Sequence, residues 1–270
     1  MQISLEDAYT DVIAKAQRGL GLADSQLAEQ SGIALAELKN LKSGHVDPAV
    51  LQAIAPVLHL SLSALIQLAE GNYQPDVSLP DGLAVFNTPY EDYTVNSYLV
   101  WDPATRDAIV FDTGSDATEL LHTIVSNGLK VRSILLTHTH GDHVFDLDRV
   151  VEKTGAPVFT NIREPLEDAA PFSEGATFEC GSLRIGTLLT HGHSPGGTTF
   201  VVSGLEKPIA IVGDSLFAGS MGGSTAWELA LTNNREKILT LPPETIICPG
   251  HGPLTTVEFE LNHNPFYAPR

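Results

Sequence analysis

The chain has 270 residues, 43% of them hydrophobic, and 15 basic against 33 acidic side chains give a formal charge of −18. That length and apolar content suit one large or two unequal packed domains. A surface this acidic repels phosphate backbones and anionic headgroups, which sets nucleic-acid and membrane partners aside.

Met1 to Asp7 contain neither a basic stretch nor the apolar core of a secretion signal, so a cytoplasmic location is expected. Cys180 and Cys248 share no pattern and read as free buried thiols. Leu5, Ala8, Val12, Ile13, Ala16 and Leu20 recur at helical spacing, with Gly19 and Gly21 marking an end. Asp24 or Ser25 is expected to cap a helix through Glu29, Gly32 to turn the chain, and Ala34 to Leu41 to form another amphipathic helix. Asp47-Pro48, a cap followed by proline, opens a helix to about Leu58, and Ser61 caps a last one toward Ala69. Pro48 to Ala69 lacks Asp, Glu, Lys and Arg, but Pro56, His59, Ser61 and Ser63 interrupt it, which predicts two short buried helices rather than a membrane span.

Gln26-Leu27-Ala28-Glu29-Gln30-Ser31-Gly32-Ile33, then Gly44 and Pro48, then Leu60 to Leu65, resemble the Cro/phage-repressor helix-turn-helix family over about residues 8 to 70. The resemblance implies that Ala34 to Leu41 is the recognition helix, yet Leu35, Ala36 and Glu37 stand at its start. Residues 1 to 80 hold four basic and nine acidic side chains, a net of −5, where a DNA reader needs a cationic face. A helix-turn-helix-like domain at 1–70 without DNA binding is therefore expected, with a role in interaction or in forming a homodimer.

Residues 71–82 are rich in turn formers and read as a linker to a second domain at 83–270. Short β-prone runs follow at Leu83 to Phe86, Ser97 to Trp101, Ala108 to Phe111 and Ile134 to Leu136, and helical patterns at Asp116 to Asn127, Leu147 to Lys153 and Asn234 to Leu241. Strands and helices alternate in an α/β manner.

Ile134-Leu135-Leu136-Thr137-His138-Thr139-His140-Gly141-Asp142-His143 is an apolar strand that runs into a loop holding four ligand-type side chains in six positions. On an extended strand end His138 and His140 point the same way, and Gly141 is expected to turn the chain so that Asp142 and His143 face the same pocket. Imidazole and carboxylate donors suit zinc, iron or manganese. Further ligands are expected at later strand ends: His193 in His191-Gly192-His193-Ser194-Pro195-Gly196-Gly197, Asp214 in Ile211-Val212-Gly213-Asp214, and His251 in Pro249-Gly250-His251-Gly252.

On these motifs, residues 83 to about 266 resemble the metallo-β-lactamase superfamily, and within it the glyoxalase II-like hydrolases. The resemblance implies a four-layer αββα sandwich behind the small all-α domain. It implies one metal on His138, His140 and His193, a second on Asp142, His143 and His251, and Asp214 bridging them, with Asp142 and Asp214 also catalytic. Two divalent ions, zinc first with iron or manganese as alternatives, would share a bridging hydroxide that attacks a thioester such as a hydroxyacyl-glutathione. Asp112, in Phe111-Asp112-Thr113-Gly114, matches the family's strand-end carboxylate that supports a ligand, and reads equally as an ordinary turn residue. His191 stands where the family usually has proline and is left outside the ligand set.

Relatives often carry Gly-Arg or Gly-Lys shortly after the position of Ser220, a pair that helps anchor glutathione. Met221-Gly222-Gly223 intervenes here without a cation, so glutathione and simpler thiol esters are expected to react alike. Two alternatives stay open. Glutathione persulfide dioxygenases, which the chain also resembles, keep one iron on the residues matching His138, His193 and Asp214. A DNA-binding regulator whose second domain senses a metabolite is the other.

Overall fold

Five short helices open the chain in the computed structural model, which describes residues 3–270: α1 (Tyr9–Leu20), α2 (Asp24–Ser31), α3 (Leu35–Lys42), α4 (Pro48–Val57) and α5 (Leu62–Ala69). Asp47 caps α4 as its sequence predicts, its carboxylate accepting the backbone N–H groups of Ala49 at 2.9 Å and Val50 at 3.3 Å. Asp24 does not cap α2. The helix begins after Ala23, and the Asp24 carboxylate turns instead to the Lys42 ammonium at 2.7 Å. Ser61 holds the cap position of α5, but its hydroxyl donates to the Pro269 carbonyl at 2.6 Å and ties down the C-terminal residues.

Gly19 lies inside α1, and Gly21, in the left-handed conformation, ends it. A side chain at Gly19 would occupy the space taken by the Trp227 ring, so this glycine is a packing residue. The same contact shows where the apolar faces of the helices go. Val12, Ile13, Ala16, Leu27, Leu38, Leu51, Ile54 and Leu65 form one buried cluster with Met221, Trp227, Ala230 and Phe266.

Beyond residue 82 two mixed sheets stack face to face. The first, in spatial order β1 (Leu83–Tyr90), β2 (Tyr93–Trp101), β3 (Asp107–Phe111), β4 (Lys130–Leu135), β5 (Val158–Asn161) and β6 (Ala170–Phe172), is antiparallel through β3 and parallel beyond it. The second runs in the reverse spatial order, β12 (Thr255–Thr256), β11 (Ile246–Pro249), β10 (Ile209–Gly213), β9 (Thr198–Ser203), β8 (Leu183–Leu189), β7 (Thr177–Cys180), with β10 and β11 parallel. Strand alternation sorts the side chains. Tyr98, Val100, Ile109 and Phe111 meet Phe200, Val202, Ile209 and Ile211 between the sheets. Leu99, Val110, Ile134 and Leu136 face outward against α6 (Thr118–Ser126) and α8 (Leu147–Thr154), which follows the one-turn helix α7 (Gly141–Val144). Each such side chain taken from water stabilises the fold by about 1.5–3 kcal/mol.

On the outer face of the second sheet lie α9 (Trp227–Asn233), a single π-helical turn (Asn234–Ile238) and α10 (Val257–His263). The helix expected over Asn234 to Leu241 is thus displaced toward the N-terminus. Its regular part ends at Asn233, and the Asn234 amide bonds the Ser215 carbonyl at 2.6 Å and the Tyr267 hydroxyl at 2.7 Å where the helix widens. Residues 71–82 carry no helix or strand, yet they are seated: the buried Tyr73 hydroxyl donates to the Glu260 carboxylate, and Val77 packs on the inter-sheet core. No helix among the described residues is long and apolar enough to cross a membrane.

Candidate metal centre

The cluster sits where strands end. After β4, Leu136 and Thr137 lead to His138, and α7 begins at Gly141, so Asp142 and His143 are presented by one helical turn. The chain turns at Gly141 into α7, without the left-handed conformation that favours glycine. His193 comes from the loop after β8, Asp214 from the end of β10 and His251 from the end of β11.

All seven side chains singled out in the sequence converge. Ligand atoms of His138, His140, His193 and Asp214 lie within 4.8 Å of one another, and so do those of Asp142, His143 and His251. In the first group His140 Nδ1 is 3.1 Å from His138 Nε2 and 3.0 Å from His193 Nε2, while Asp214 Oδ2 is 3.3 Å from His193 Nε2 and 3.8 Å from His138 Nε2. In the second, Asp142 Oδ2 is 3.3 Å from His251 Nε2 and 3.7 Å from His143 Nε2. Asp214 reaches both groups, with Oδ1 3.3 Å from His143 Nε2 and Oδ2 3.4 Å from His251 Nε2. Donor atoms around a tetrahedral zinc at ordinary bond lengths stand about 3.3 Å apart, so the spacing fits a bound cation.

Second contacts fix how the rings face. His193 Nδ1 is 2.7 Å from the Gly223 carbonyl and His251 Nδ1 is 2.7 Å from the Thr94 carbonyl. A carbonyl only accepts, so each Nδ1 carries the proton and each Nε2 is turned to the cluster. Asp112, left between two readings by the sequence, holds His143: its Oδ2 lies 2.8 Å from Nδ1 and also accepts the Thr137 hydroxyl, while Oδ1 accepts the Thr137 N–H. Its φ of 54° is a strained value for a non-glycine residue, held by these bonds.

Two observations fit a bound cation. The buried atoms His143 Nε2 and Asp214 Oδ1 have no hydrogen-bond partner, which is costly for groups so sequestered from water. Burial, then the neighbouring His143 charge, pushes the His138 pKa well below its ordinary value, and burial with His193 lowers that of His140. Both rings are thus held in the neutral form, the one that can ligate a metal. In the second group burial alone would lower both histidines, but the Asp214 and Asp112 carboxylates hold His143 up at about 10, and Asp214 with Asp142 holds His251 up at about 11. Gly250 and Gly222 allow the close packing: a side chain at either would collide with Asp214.

His191 stays outside the cluster, its ring and carbonyl bonded by the Asn233 amide. His45, His59 and His122 are exposed, and His263 packs half-buried beside Gln67. Glu164 is the residue that sequence reading missed. Its carboxylate accepts from Thr139 N and Oγ1, at 3.1 Å each, and from Ser194 Oγ at 2.9 Å and Gly196 N at 2.8 Å, so it joins the loops that carry His140 and His193. No local pattern marks a lone Glu in a loop for this task.

The cluster opens into a pocket of about 450 Å³ lined also by Tyr90, Tyr93, Phe217, Glu6 and Lys15. Tyr93 and Phe217 stand edge-on to His251 at 5.4 and 5.5 Å. The loop Met221-Gly222-Gly223 carries no cation, but α1 brings Lys15 to the pocket, with Nζ 2.8 Å from the carbonyl of Met221. A larger groove of about 700 Å³, lined by Ile3 to Leu5, Tyr73 to Val77 and Leu254, contains no histidine.

The family described as the metallo-beta-lactamase superfamily matches residues 90–251. A probable metallo-hydrolase, YqgX, from Bacillus subtilis is 34% identical over 183 residues, which span 58% of this chain and 86% of that protein. The hydroxyacylglutathione hydrolase GloC of Haemophilus influenzae is 28% identical over 204 residues, 66% of this chain and 95% of that one. Among solved structures, the di-iron-bound form of TTHA1623 is 30% identical with a TM-score of 0.55, covering 67% of this chain and 100% of its own.

Proposed function

Because the chain belongs to the metallo-beta-lactamase superfamily, we propose that it is a metal-dependent hydrolase of thioesters such as hydroxyacyl-glutathione. His138, His140 and His193 would hold one divalent ion, Asp142, His143 and His251 a second, and Asp214 both. Zinc suits these nitrogen and oxygen donors, and the di-iron relative makes iron the alternative. The observation that carries the reading is the reach of Asp214, whose two oxygens lie 3.3 to 3.8 Å from imidazole nitrogens of both groups.

Metal ions bound there would lower the pKa of a coordinated water and polarise the substrate carbonyl. The chain's own groups do the rest. Asp142, whose ionisation burial opposes but His251 and His143 favour, stays a carboxylate, and its Oδ2 faces the same point as His251 and His143, where it would serve as a ligand. Asp112, Thr94 and Gly223 keep three imidazoles oriented, so little reorganisation is needed during the reaction. A thiolate is a good leaving group and departs without a strong general acid. The name of the Haemophilus influenzae relative supports the substrate class.

The iron-dependent persulfide dioxygenase reading needs only His138, His193 and Asp214 and gives Asp142, His143 and His251 no task, although all three converge as closely as the first group. Metal content separates the two. Protein loaded with excess zinc and desalted should keep about two ions per chain, Asp214→Ala should disturb both, and His251→Ala should empty mainly the second. Retention of one ion by wild type, unchanged in His251→Ala, would count against the two-metal hydrolase.

A further inference from the structure

The N-terminal region does not stand apart from the pocket. Residues 4–6 run against Gly252, beside His251, closely enough that a side chain there would touch the backbone of Glu6. Asp7 is 8% exposed and takes a hydrogen bond from the Ser220 hydroxyl. Its carboxylate pairs with the Lys15 ammonium, which also donates to the Met221 carbonyl at 2.8 Å and lies 5.0 Å from the centre of the Phe217 ring. Lys15 is thus fixed by three elements that wall the pocket, and it is the one Lys or Arg among the residues lining it.

An ammonium has three N–H donors, and among the described residues only Asp7 and Met221 accept from this one. The remaining donor is available to a ligand, and a side chain already held in place gives up little entropy on binding it. Glu6 on the same wall limits how much negative charge the pocket tolerates. One carboxylate is therefore a better match than a phosphate, which brings close to two charges.

We propose that Lys15 is a specificity-determining residue that binds a carboxylate on the thiol half of the substrate, making the N-terminal helical region a wall of the active-site pocket. This deepens the thioesterase reading, and the assignment of the carboxylate to the thiol half rests on it. The charge preference itself is independent of turnover.

The test uses the full chain, metal-loaded, and calorimetric titration with S-hexylglutathione, a thioether that no hydrolase cleaves at sulfur, against its diethyl ester, which lacks the carboxylates. Wild type should bind the free acid about tenfold or more tightly than the ester, as one charge-assisted hydrogen bond in a sheltered site allows. Lys15→Met should erase that preference, Lys15→Arg should keep most of it, and Asp7→Asn, which removes the negative charge paired with the ammonium, should enlarge it. Should Lys15→Met fail to fold because Asp7 is left buried and unpaired, the double variant Asp7→Asn/Lys15→Met removes both charges and takes its place. Equal binding of acid and ester by wild type, binding of neither, or a preference that survives loss of the ammonium overturns the proposal. A wild type that prefers the acid yet hydrolyses no thioester removes the reaction reading and leaves Lys15 standing as a carboxylate site.

Discussion

Asp112 stands behind His143, its Oδ2 2.8 Å from Nδ1 in a fully buried contact, so a carboxylate at the end of one strand sets the orientation of an imidazole on the one-turn helix after the next. Removing the charge while keeping the shape tests this support. Asp112→Asn should weaken retention of the second ion by about 10- to 100-fold in chelator competition, with the circular dichroism spectrum unchanged. Unaltered affinity would reduce Asp112 to a turn residue.

The protons on His143 and His251 predict how metal binding and stability respond to pH. Both residues have pKa values above their ordinary 6.5, at about 10 and about 11, so they are charged at neutral pH in the metal-free chain. A histidine raised in this way contributes stability that is complete below its unfolded value and is lost as pH rises through its folded one. Metal-free protein should therefore melt at progressively lower temperature as pH rises from about 6.5 toward 10 and 11. An ion entering the site displaces the same protons, so metal affinity should rise over that window, with proton release visible in buffers of different ionisation enthalpy. A metal-free melting temperature that climbs over the window contradicts the assignment.

Gly19 tests the seam between the helical region and the sheets. Gly19→Ala places a methyl where the Trp227 ring lies and should cost about 1–3 kcal/mol in urea unfolding. Because α1 also carries Lys15, the variant should raise KM more than it lowers kcat. A neutral effect on both stability and KM would mean that α1 can shift without disturbing the pocket.

DNA binding by the helical region is predicted to be absent. Of the four basic side chains before residue 80, Lys15 is engaged at the pocket and Lys42 is paired with Asp24 at 2.7 Å. Leu35, at the start of the helix placed for recognition, offers an apolar side chain 39% exposed rather than a donor for a phosphate or base edge. Fluorescence anisotropy of the full chain with labelled duplex should show no binding at moderate ionic strength. Affinity that falls steeply with salt would contradict this.

The ligand cluster was legible because its chemistry is dense in sequence: His138, His140, Asp142 and His143 fall within six positions after an apolar strand, and glycines flank His193, Asp214 and His251. The strand that leads to His138 was legible as a short apolar run, Ile134-Leu135-Leu136, ending in the ligand loop. Three things were not. Glu164 joins two loops from a position without local signature, the helix Trp227–Asn233 is too short for periodicity to reveal, and Gly19 looked like a helix end because nothing nearby in sequence announces Trp227. Lys15 belongs with these. Its contact with Met221 spans 206 residues, and no reading of either segment alone brings an N-terminal lysine to a loop that lacks a cation.

The account depends most on what the metallated protein does to a thioester in the absence of oxygen. Zinc-loaded wild type, assayed anaerobically on a hydroxyacyl-glutathione, should release free thiol, and His143→Ala and His251→Ala should each lower kcat by about 100-fold or more. Thiol release only by the iron-loaded protein, only with oxygen present, and undiminished in those two variants would contradict it.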